Sequence, residues 1–82
     1  MKKIRYHPKF KDNFRRFPKE IREKFYKQIN YLLSDIRHPS LQVKKYDKLR
    51  NIWQARVNQK VRFYFLIEDN TYILLDIKKH PK

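Results

Sequence analysis

Ile52-Trp53-Gln54-Ala55-Arg56-Val57, then Val61-Arg62-Phe63-Tyr64-Phe65-Leu66-Ile67-Glu68, then Asp69-Asn70 and Thr71-Tyr72-Ile73-Leu74-Leu75-Asp76-Ile77-Lys78, is the stretch that decides the fold. Apolar residues recur at every second position within each run, which is the period of a strand with one buried face. The connections are short, so the strands are expected to form an antiparallel meander. Asp69-Asn70 reads as a two-residue hairpin turn, because both residue types tolerate positive φ without a glycine. Parity then sorts the side chains. Trp53, Ala55, Val57, Val61, Phe63, Phe65, Ile67, Ile73, Leu75 and Ile77 are expected on the core face. Gln54, Arg56, Arg62, Tyr64, Asp76 and Lys78, with His80 in phase just beyond, are expected on the other.

Upstream of this stretch the period changes. Lys2 to Tyr6 alternates and reads as a short strand, ended by His7-Pro8. Pro8 suits the first turn of a helix, and Phe10, Phe14 and Phe17 follow at i, i+4 and i+7. Pro18 ends that helix and, by the same first-turn preference, starts another. Ile21, Phe25, Ile29, Leu32, Leu33 and Ile36 make an apolar stripe, with Lys19, Arg22, Glu23, Lys27 and Asn30 opposite. His38-Pro39 is expected to stop it. Leu41 to Tyr46 reads as an extended edge segment and Asp47 to Asn51 as a polar loop. The expected fold class is α+β, a single domain over residues 1–82 in which an N-terminal helical hairpin packs on one face of a small, mostly antiparallel sheet.

Composition narrows the chemistry. The chain has 82 residues, of which 40% are hydrophobic and 16% aromatic, enough for a dense core despite 37% charged residues. Without cysteine there is no disulfide, thiolate zinc site or thiol nucleophile, and without glycine there is no phosphate-binding glycine loop. Apolar runs are too short for a membrane span, and Ile4-Arg5-Tyr6-His7-Pro8-Lys9 supplies no apolar core for a signal peptide, so a cytoplasmic protein with no membrane partner is expected. His7, His38 and His80 show no metal-ligand spacing, and Ser34 and Ser40 flank a helix end without a triad, so neither a metal, a cofactor nor a serine nucleophile is expected. Twenty-two Lys and Arg oppose eight Asp and Glu, for a net charge of +14. A field of one sign over so small a surface favours polyanions, nucleic acid first. The even-parity face carries Arg and Tyr, and with His80 it suits a phosphate backbone and a stacked base. A one-sided sheet also has a solvated polar face as a matter of course, and His80, followed only by Pro81-Lys82, reads equally as an exposed tail residue.

One known family shares these residues. His38-Pro39-Ser40-Leu41-Gln42-Val43-Lys44-Lys45, Asp47 to Asn51, Ile52-Trp53-Gln54-Ala55-Arg56-Val57 and Val61-Arg62-Phe63-Tyr64-Phe65, preceded by Phe14-Arg15-Arg16-Phe17-Pro18-Lys19-Glu20-Ile21, resemble the RelE/ParE toxin superfamily in its RelE-like branch. The resemblance implies the toxin of a toxin–antitoxin pair, an mRNA interferase that enters the ribosome and cuts mRNA without a metal. It also implies a small acidic, RelB-like antitoxin as partner. Carried over residue by residue, it assigns Arg56 and Arg62 to the scissile phosphate and His80 to proton movement. Gln54 takes an alternating position that is basic in the family. Lys48 stands at or near a loop position that is usually glycine, no Tyr follows the last strand, and a His near position 80 is similar to YafQ-like relatives. Tyr64 is expected to stack or orient a base, and Lys44, Lys45, Lys48, Lys78 and Lys79 to grip RNA backbone. Two other functions fit the superfamily and the charge: a ParE-like gyrase inhibitor, and a basic RNA-binding module without catalysis.

Overall fold

The computed structural model describes residues 2–80. His7 caps the first helix: its Nδ1 accepts the Lys9 backbone N–H at 3.1 Å, and Pro8 follows in the first turn, where a missing N–H costs nothing. The elements are β1 (Lys3–Tyr6), α1 (Pro8–Phe14), α2 (Lys19–Ser34), β2 (Lys44–Asp47), β3 (Ile52–Arg56), β4 (Val61–Glu68) and β5 (Thr71–Lys79). Phe17 lies beyond α1 in a tight turn, where the Arg16 and Phe17 N–H groups bond back to Asn13 and Phe14. It still packs on the core, so its helical spacing was real even though the helix stops at Phe14. Pro18 is the N-cap of α2 rather than its first helical residue, in extended conformation with φ −66°.

Helix α2 ends at Ser34, earlier than the His38-Pro39 stop implies. Asp35 is extended, and its side chain accepts the Arg37 N–H at 2.9 Å, a local turn that competes with the helix. Ile36 and Arg37 therefore leave the helix, while the His38 ring stacks on Tyr31 at 3.8 Å between centroids. Phe25, Ile29 and Leu32 bury the α2 stripe against Phe63, Phe65, Leu74 and Ile77 of the sheet. Gln28 is the polar member of the buried stripe: it is 1% exposed, and its Nε2 donates to the Ser40 and Arg56 carbonyls at 3.2 and 2.9 Å. This amide pins the end of β3 to the helix. Gln28→Ala is expected to leave two carbonyls unpaired and cost about 1–3 kcal/mol, a fall of several degrees in Tm by thermal unfolding.

The strands form one five-stranded sheet in the order β1-β5-β4-β3-β2. β2 to β5 pair antiparallel, as the meander requires, and β1 joins at the edge parallel to β5, with Lys3 opposite Thr71 and Tyr6 opposite Leu74. At the Asp69-Asn70 turn Asp69 has φ 51°, a conformation an aspartate tolerates.

Two register shifts reshape the sheet. In β5, Tyr64–Asp76 pairing is followed by Phe65–Leu74, so Leu75 has no opposite residue. In β2, Lys45–Trp53 is followed by Asp47–Ile52, so Tyr46 has none. The first bulge corrects the parity assignment. Tyr72 and Leu74 enter the core, at 3% and 0% exposure, while Ile73 and Leu75, expected there, are only half-buried. The run from Tyr72 to Leu75 is apolar at both parities, so alternation carries no information about facing until Asp76.

Candidate nucleic-acid interface

The face of the sheet turned away from α2 is ruled by cross-strand register. One row runs Lys44, Gln54, Tyr64, Asp76 across β2 to β5, and the next runs Arg56, Arg62, Lys78. Arg56 and Arg62 thus sit directly opposite each other, a like-charge pair that a sheet does not choose for stability. Burial, and then the charge of Arg56, hold the Arg62 guanidinium below its ordinary pKa. An anion between the two would relieve that repulsion and use the planar donor array of each.

The surroundings hold both arginines in place. The Arg56 N–H donates to the Leu41 carbonyl at 2.8 Å, and its own carbonyl takes Gln28. Arg62 Nη1 donates to the Asn58 and Gln59 carbonyls of the β3–β4 turn at 2.7 and 3.1 Å, which aims the guanidinium while leaving its other nitrogens for a ligand. His80 is anchored rather than trailing, since its backbone N–H donates to the Lys60 carbonyl at 2.6 Å. Lys44, Gln54, Arg56, Arg62 and His80, with Gln42, line one groove of about 290 Å³. The three residues expected to act on a phosphate, drawn from three separate stretches of the chain, therefore meet.

The lysines divide. Lys44 lies in the groove, but Lys45 pairs with Trp53 on the opposite face, its ammonium 4.2 Å from the indole centroid and bonded to Asn51. Neighbouring residues of a strand point to opposite faces, so the two cannot grip one ligand. Lys48 is exposed in the β2–β3 turn, outside the groove, next to Leu49 at 99% exposure. Lys79 borders a hollow beside Asn13, Arg16 and Phe17, separate from the groove of Arg56 and Arg62. Lys78 and Tyr64 share the sheet face but line a neighbouring hollow, with the Lys78 ammonium 5.1 Å from the Tyr64 ring centroid. That hollow contains two residues that sequence reasoning passed over, Tyr46 and the buried Asp76 carboxylate. Asp76 was expected on this face as solvated polarity, and its position before the apolar Ile77 offered no sign of burial.

Among the described residues no cluster of three His, Cys, Asp or Glu could hold a metal ion, and no helix is long and apolar enough to cross a membrane.

No protein-family model matches the sequence, and comparison with curated proteins finds no match. Solved structures do match. The YoeB dimer from Staphylococcus aureus superposes with a TM-score of 0.82 at 16% identity, covering 98% of each chain. The archaeal RelE of a RelE–RelB complex from Pyrococcus horikoshii gives 0.79 at 16% identity, over 95% of this chain and 93% of that one. YafQ from E. coli gives 0.77 at 10% identity, over 98% and 94%. The class these comparisons and the topology define is the RelE-like toxin fold, two helices on an open five-stranded sheet. The chain shares the fold of these toxins.

Proposed function

We propose that the protein is the toxin of a type II toxin–antitoxin pair, and that it is a ribosome-dependent mRNA endoribonuclease. The observation that carries the proposal is the convergence of Arg56, Arg62 and His80 on one groove, with the arginines opposed across the β3–β4 ladder. In the reaction a ribose 2′-hydroxyl loses its proton to water and its oxygen attacks the adjacent phosphorus. The bond to the 5′-oxygen breaks, and a 2′,3′-cyclic phosphate and a 5′-hydroxyl result. Arg56 and Arg62 hold the dianionic phosphorane, a charge that grows as the reaction proceeds. His80 moves the proton that the leaving 5′-oxygen needs, imidazole being the side chain that ordinarily titrates near neutrality. Two guanidiniums supply locally the positive charge that a metal ion supplies in other phosphoryl-transfer sites.

The relatives solved with RelB or YefM support an antitoxin as partner. The net charge of +14 calls for an acidic one. Co-expression with the adjacent open reading frame tests this. A stable complex with a small acidic protein that restores growth is the expected result; free, harmless expression of the protein alone would overturn it. For the nuclease itself, ribosomes carrying a defined message are expected to yield a cut in the decoding site.

Contact with several phosphates also makes binding salt-dependent, with a log–log slope of about −0.7 per phosphate on single-stranded RNA. Lys44→Ala is expected to flatten that slope and weaken ribosome binding. Lys45→Ala, on the other face, is expected to leave the slope alone. Equal effects of the two would place the RNA somewhere other than the arginine groove.

A further inference from the structure

One row along the sheet from the arginine groove is a second hollow of about 290 Å³, built around Tyr64. Both bulges border it. Tyr46 is the unopposed residue of β2 and Leu75 of β5, and both line the hollow on either side of Tyr64. Bulges re-aim side chains and gather beside functional sites. Two of them flanking one tyrosine are hard to attribute to core packing, since Tyr46 remains 53% exposed. The Tyr46 and Tyr64 rings lie 4.7 Å apart, tilted at 58° to one another.

The polar wall is as specific as the aromatic one. Asp76 is 7% exposed. Its Oδ1 accepts Asn13 Nδ2 and the Ile77 N–H, which orients the carboxylate. Among the described residues its Oδ2 pairs with the solvent-exposed Lys9 ammonium at 3.5 Å. One oxygen is thus committed to the fold, and the other has a partner that a ligand can displace or share.

We infer that this hollow holds one base of the single-stranded RNA whose phosphate lies between Arg56 and Arg62, with Tyr46 as stacking platform and Asp76 as reader of the base edge. The inference rests on the proposed function and names a base subsite for it. Two strand residues separate the Tyr64 row from the Arg62 row, about 7 Å, a span one nucleotide bridges. The volume is at the lower end of ligand pockets, suited to one base rather than a stretch of chain. An acceptor oxygen selects an edge that offers N–H groups. Guanine ranks first, because N1–H and the N2 amino group donate together while O6 can accept from Lys9 or Lys78. Uracil ranks last, because two carbonyls flank its single N–H. Burial, followed by Tyr46, raises the Tyr64 pKa, so its hydroxyl stays protonated beside the base.

Titration of the intact protein with the 5′-monophosphates of guanosine, cytidine, adenosine and uridine, followed by backbone amide chemical shifts, tests the subsite without requiring cleavage. GMP is expected to bind most tightly and UMP most weakly, with shifts centred on Tyr46, Tyr64 and Asp76. Tyr46→Ala, at an exposed position that does not threaten folding, is expected to weaken all four by about tenfold or more, the loss of one base–aromatic stack. Tyr46→Phe is expected to restore binding. Asp76→Asn keeps an acceptor for Asn13 and Ile77 and places an amide donor where Oδ2 stood, so the preference for GMP over UMP is expected to vanish or invert. Equal binding of the four nucleotides, or a Tyr46→Ala variant that binds like wild type, overturns the subsite even if the protein cleaves mRNA. Selective GMP binding with these variant effects sustains it even if ribosome-bound mRNA stays intact, in which case the nuclease reading alone falls.

Discussion

Arg62→Ala is expected to cut ribosome-bound mRNA about a hundred- to a thousand-fold more slowly than wild type, with a much smaller loss of ribosome affinity. The asymmetry follows from where the charge is needed. The ground-state phosphate carries one negative charge and the phosphorane two, so a guanidinium aimed at it contributes most at the barrier. Loss of one such donor costs about 2.7–4 kcal/mol of transition-state stabilisation. The fold is expected to tolerate the change. Among the described residues the Arg62 side chain bonds to carbonyls at the β3–β4 connection, and its removal ends the like-charge opposition with Arg56. Single-turnover cleavage, measured with Tm and ribosome binding on the same preparation, separates the contributions. A variant that loses binding and rate in equal proportion would show that Arg62 serves only uniform binding.

His80→Ala is expected to slow the same reaction by about a hundred- to ten-thousand-fold, the usual worth of a positioned proton carrier. It should also change the pH–rate profile. A proton carrier that must be in one protonation state to act puts an inflection in that profile. Without it, that inflection disappears and the residual rate follows solvent alone. His80→Lys places a positive charge beside Arg62 but supplies no imidazole, and is expected to support binding without restoring the inflection. The backbone bond from His80 to Lys60 makes a specific orientation of this side chain possible. Cleavage by His80→Ala at the wild-type rate, with its pH profile unmoved, would sink the proton-carrier role and leave the arginines acting by charge and positioning.

Alternation made Arg56 and Arg62 legible as partners on one face, because the short connection between their strands leaves the register little freedom and β3–β4 contains no bulge. The same rule failed in β5. There Tyr72, Ile73, Leu74 and Leu75 are all apolar or aromatic, and a single extra residue exchanges the faces on either side of it. It failed again for Lys45, grouped with Lys44 by adjacency in sequence and separated from it by the pleat. The α2 stop was misread because His38-Pro39 is a strong breaker, while the side-chain turn at Asp35 acts three residues sooner through a bond that depends on local geometry.

The sequence by itself determined the α+β class, the helical stripe, the hairpin turn at Asp69-Asn70 and the basic, glycine-free, cysteine-free chemistry, because each depends on periodicity or on a residue type's intrinsic limits. Only the tertiary structure decided that β1 lies parallel beside β5, that Gln28 clamps Arg56, and that Tyr46, Tyr64 and Asp76 share a hollow. These are meetings of residues far apart in the chain, arranged by packing and by two bulges. A bulge is a matter of how neighbouring strands pair across the sheet, and no alternation within one strand encodes it.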